Sequence, residues 1–171
     1  MNPITRRSLL RTTALAPLGL AGCAGLIGAI AVAPQVAADV ALIAAALRVL
    51  LPILESATNL NASARATISS IIDEIAAMSA EVAKASTVDV AKVLIEQLVR
   101  GVSTIAALLT GGSWPPLVNA ILADILALLP AIEAAVGIPV PAPTPAVMGA
   151  FAMTPAAARA DLQLIVAAKG R

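Results

Sequence analysis

Between Val36 and Val136, aliphatic residues recur at spacings of three and four in four successive segments. That rhythm commits the chain to helices packed against helices. In the first segment Val36, Val40, Ile43, Leu47, Leu50 and Leu54 form one seam. Pro34 lies near its start, and Pro52 is expected to kink it or end its regular hydrogen bonding a turn earlier. Asn59-Leu60-Asn61 reads as a turn. The second segment, roughly Ala62 to Ala85, turns Ile68, Ile71, Ile72, Ile75, Met78 and Val82 inward, with Asp73, Glu74, Glu81 and Lys84 elsewhere. The third opens at Ser86, where Ser86-Thr87-Val88-Asp89 fits the Ser-x-x-Asp capping pattern. Its stripe is Leu94, Leu98, Val102, Ile105 and Leu109. Gly111-Gly112-Ser113-Trp114-Pro115-Pro116 then stops one helix and restarts another. The fourth runs from about Pro116 to Val136 on Leu117, Ile121, Ile125, Leu128 and Ile132, with Pro130 expected to bend it.

Four helices of about twenty residues joined by short turns predict an all-α fold, an up-and-down antiparallel bundle over residues 36–137. A three-helix core with one loosely attached member is the alternative. From Gly137 the pattern changes. Pro139, Pro141, Pro143 and Pro145 alternate, which favours polyproline II, so residues 138–147 read as a stiff linker. Residues 148–171 form a C-terminal segment in which Thr154-Pro155 starts a short helix ending near Ala168. It is expected to dock on the bundle or to reach a partner.

Ahead of the bundle, Thr5-Arg6-Arg7-Ser8-Leu9-Leu10-Arg11 leads into an uncharged stretch that closes on Leu20-Ala21-Gly22-Cys23. A basic head, a mildly apolar middle and small residues at the cut are what a signal peptide requires. The paired Arg6 and Arg7 resemble a twin-arginine export signal, and Leu-Ala-Gly-Cys resembles the lipobox of bacterial lipoprotein precursors. Leu9 stands where Phe is frequent and Arg11 where Lys is, which leaves twin-arginine and general secretion both open as routes. The resemblance covers about the first 25 residues. It implies a signal peptide over 1–22, cleavage before Cys23, acylation of that cysteine and a lipidated tether over 23–35. Two or more acyl chains anchor stably, at about 0.8 kcal/mol per buried methylene. Ala24, where an Asp would retain a lipoprotein in the inner membrane, favours the outer membrane by the same resemblance. An uncleaved transmembrane helix is the rival, since no charge falls between Thr12 and Ala38 and about 20 residues span a bilayer.

The chemistry of the remainder is sparse. The 11 basic residues include Arg6, Arg7 and Arg11; without them 8 basic face 10 acidic residues, a formal charge of −2. No basic face and only two aromatics, Trp114 and Phe151, exclude nucleic-acid recognition by charge or stacking. There is no His, no Tyr and a single Cys. That removes His-based triads, a free thiolate and the usual zinc and haem ligand sets. Asp73, Glu74 and Glu81 match no calcium-type loop and read as a solvated face. Lys84 and Lys92 sit beside opposite charges, unsuited to act as a desolvated base. The Asp89, Lys92, Glu96 and Arg100 stripe reads as the wet side of its helix, with Lys92–Glu96 and Glu96–Arg100 at pairing distance. Asp124 is expected at the surface, opposite the Ile121–Ile125–Leu128 side. Trp114 either plugs the end of the core or sits at headgroup level.

No catalytic residue, cofactor or metal site is expected. The sequence reading is a lipid-anchored protein of the bacterial cell envelope, facing the periplasm and acting by binding or structural support. Its contacts are the membrane, through acylated Cys23, and an envelope protein partner. A membrane-embedded or pore-forming helical protein is one alternative, and a carrier of a hydrophobic small molecule is another.

Overall fold

A computed structural model describes residues 21–57, 60–140 and 153–169, the side chains of 21–33 excepted. Five helices are present among the described residues: α1 Ala21–Glu55, α2 Ala62–Lys84, α3 Val88–Leu109, α4 Pro116–Ala135 and α5 Pro155–Lys169. The fold is all-α. Each of α1 to α4 packs on the next, and α4 closes back on α1, giving a four-membered ring of helices. Short turns connect them, as an up-and-down bundle requires. α5 lies outside the ring, across α1 and α4. Of the two expected placements for the C-terminal helix, docking is the one adopted.

The apolar seams point where their spacing directs them. Val36, Val40, Ile43, Leu47, Leu50 and Leu54 are all buried, facing Ile68, Ile72, Ile75, Leu98, Val102, Ile105, Ile121, Ile125 and Leu128. Ile71 and Leu117 are only half-buried, at the edges of their stripes. The core is therefore built of branched aliphatics and alanines, which let neighbouring helices approach closely. Gly101 on α3 shows how closely: a Cβ there would lie 3.0 Å from Ile71 Cγ2 on α2.

Side chains cap the starts of α2 and α3, while α4 starts on Pro115 without a side-chain cap. Asn61 caps α2, its Oδ1 accepting from Ala64 N at 2.7 Å. Arg65 then donates to the carbonyls of Leu60 and Glu55, tying the start of α2 to the carbonyl end of α1. The cap of α3 is Thr87, accepting from Val90 N, one residue later than the Ser86 pattern predicts. Trp114 donates its indole N–H to Leu109 O at 2.6 Å and packs on the core. It plugs the bundle end at the α3–α4 turn. Gly111 takes φ +84, the left-handed conformation that stops α3.

The expectation at Pro34 is corrected, and one of the two outcomes expected at Pro52 is excluded. α1 begins at Ala21, well before Pro34, so Pro34 lies inside the helix. Pro52 does not end α1 a turn early, because the helix runs on to Glu55. Proline deletes only the bond to the carbonyl four residues earlier, and the exposed Arg48 leaves that carbonyl on a watered side.

Candidate functional site: the seam of the C-terminal helix

Arg6 and Arg7 lie outside the described residues, and so does the Cys23 side chain, although its backbone belongs to α1. Asp73, Glu74 and Glu81 are exposed on α2. The stripe on α3 carries no ion pair among the described residues; Arg100 Nε donates instead to the backbone carbonyl of Glu96. Exposed pairs of this kind are worth little.

The polar structure is concentrated instead where α5 meets α1 and α4. Asp39 on α1 is 4% exposed, and Arg159 on α5 grips it with two parallel bonds. Nε to Oδ1 and Nη2 to Oδ2 each measure 2.7 Å. Gln35 adds a third bond to Oδ1 at 3.1 Å. The bond to Asp39 holds the Arg159 guanidinium above its ordinary pKa, against the opposing pull of burial. Beside the pair, Ala158 and Leu162 are fully buried, and Ile165 and Val166 are partly covered. A short apolar face and one forked ion pair thus anchor the helix.

Asp124 on α4 faces the same seam, and its expected surface position is wrong. It is 2% exposed. The correction is geometric: Asp124 follows Ile121 by three residues and precedes Leu128 by four, spacings that set it beside the apolar stripe rather than opposite it. α5 then covers that flank. Burial raises the Asp124 pKa above its ordinary value, and the nearby Asp161 carboxylate on α5 raises it further. The two acids share a cleft of about 350 Å³ whose other walls are Ala120, Ala123, Met153, Leu164 and Ile165.

Sequence reasoning passed over Asp39 and Arg159. The available signal was spacing again, since Asp39 stands three residues after Val36 and four before Ile43, within the buried seam. A carboxylate in such a place requires a partner, but no local pattern reveals one 120 residues away.

Among the described residues two stretches are long and apolar enough to cross a membrane, Pro34–Glu55 at mean hydropathy 2.1 and Pro116–Ala135 at 1.9. Both are also core helices of the bundle, so their apolar character already has a use. No protein-family model matches the chain, and the comparisons with curated proteins and solved structures return no match.

Proposed function

We propose that this is a lipid-anchored protein of the bacterial cell envelope that acts by binding or structural support rather than catalysis. The acylation signal at Leu20-Ala21-Gly22-Cys23, behind Arg6 and Arg7, is the observation that carries the reading. α1 adds support, since a continuous helix from Ala21 into the bundle would fix the folded domain close to its anchor. The placement proposed is the periplasmic side, with the outer membrane favoured by Ala24.

The membrane-embedded alternative draws on the two apolar stretches. Against it, α2 and α3 expose Asp73, Glu74, Glu81, Glu96 and Arg100, each costing about 2.5–3.5 kcal/mol at a bilayer centre. The carrier alternative needs space between the helices, where Ile43, Leu47, Ile75, Leu98, Ile121 and Ile125 already pack.

Cys23→Ser with fractionation of the cell envelope tests the anchor. The variant is expected in the soluble periplasmic fraction, while the natural chain stays with membranes. Retention of the variant in membranes would overturn the lipid-anchor reading in favour of a protein span.

A further inference from the structure

We propose that the cleft between α4 and α5 binds an aliphatic ammonium ion, its charged head between Asp124 and Asp161 and its hydrocarbon body along Ala120, Ala123 and Ile165. This site does not depend on how the chain is held to a membrane.

The first reason is an imbalance of partners within one seam. Asp39 is buried and receives three hydrogen bonds. Asp124 is buried as deeply, yet among the described residues it has neither a hydrogen bond nor an ion pair. Asp124 lines the cleft, and Asp161 lines it from α5. An unpaired buried carboxylate is costly, and a second acid across the gap adds repulsion. A cation placed there relieves both at once.

The second reason is the character of the walls. Only two carboxylates converge, and no group of three metal-ligating side chains occurs among the described residues. Calcium takes six to eight oxygens and magnesium a near-ideal octahedron, so a bare metal ion is poorly served. The remaining walls are methyl and methylene groups, including Leu164, which is 68% exposed and available to cover a ligand. An ammonium head offers three donors, enough to bridge acids on two helices. A volume of about 350 Å³ is at the small end for ligand cavities and suits a chain of a few carbons.

The test uses the full chain and n-hexylammonium, followed by calorimetry and by amide shifts in NMR spectra near neutral pH. Saturable binding is expected, with amide shifts confined to α4 and α5. Asp124→Asn and Asp161→Asn should each weaken it at least tenfold while the helical circular-dichroism spectrum stays unchanged. Neutral 1-hexanol should fail to compete. Nα-acetyl-lysine amide separates two sources of the same chemistry: binding as tight as hexylammonium indicates a lysine side chain of a partner, and much weaker binding a free amine. The proposal is overturned by equal binding of 1-hexanol, by undiminished binding to folded Asp124→Asn, or by the absence of saturable binding.

Discussion

Replacing Arg159 by alanine should release the C-terminal helix while leaving the four-helix ring folded. Removing one member of a buried ion pair costs about 3–5 kcal/mol, mostly because the other charge is stranded. Here the Arg159 side chain is 29% exposed and the Asp39 side chain 6%, so water reaches the site from the arginine side. Gln35 also remains on Oδ1. Both features reduce the loss to about 2–3 kcal/mol. The helix has little in reserve: Leu162 is its one large fully buried side chain, and such a leucine contributes about 1.5–3 kcal/mol. Once undocked, a helix of 15 residues is marginal in water and should fray. Native-state hydrogen exchange reads this directly. Amides of α5 should exchange rapidly, whereas those of α2 and α3, which do not pack on α5, should keep their protection. The reasoning fails if α5 protection changes by less than about 0.5 kcal/mol, or if all five helices lose protection equally. Pairing Asp39→Leu with Arg159→Met should restore most of the docking, because an apolar pair carries no desolvation cost.

Burial raises the pKa values of both Asp124 and Glu133, so the native chain holds more protons at these groups than the unfolded chain. Their stabilising contribution is complete below the ordinary carboxylate range and declines as pH rises through the raised values. Asp124→Asn should therefore stabilise the chain near neutral pH, by about 1 kcal/mol, and flatten part of that slope in urea titrations at several pH values. Greater stability of the natural chain over the variant at neutral pH would contradict it. At the bundle end, a Cβ on Gly112 would lie 2.7 Å from Trp114 Cε2, which forces the indole off Leu109 O. Gly112→Ala should cost about 1–2 kcal/mol and shift the emission of the sole tryptophan to the red. Gly111→Ala should cost about 1 kcal/mol through its positive φ without moving that emission, since nothing lies within 4 Å of its Cβ position.

Much of the architecture follows from local arithmetic. Residues such as Ile43, Leu47, Ile105 and Ile125 recur with the period of a helix turn, and a face of that kind is stable only when covered. Turn chemistry at Asn61 and at Gly111 to Pro116 marks the breaks to within a residue or two. The thresholds at Pro34 and Pro52 were less legible, because proline removes one hydrogen bond and a packed helix tolerates that loss. The site was less legible still. Asp124 and Asp39 both flank apolar seams, but whether a flank meets water or another helix depends on what lies beside it.

The sequence by itself determined that this chain makes amphipathic helices and where they stop. Those properties reside in spacings of three and four residues and in short motifs. Only the tertiary structure decided that α5 returns to cover α1 and α4. That return joins Arg159 to Asp39 and leaves Asp124 facing Asp161. Such pairings join residues far apart in the chain, and no periodicity within a single helix carries information about which surface another helix will occupy.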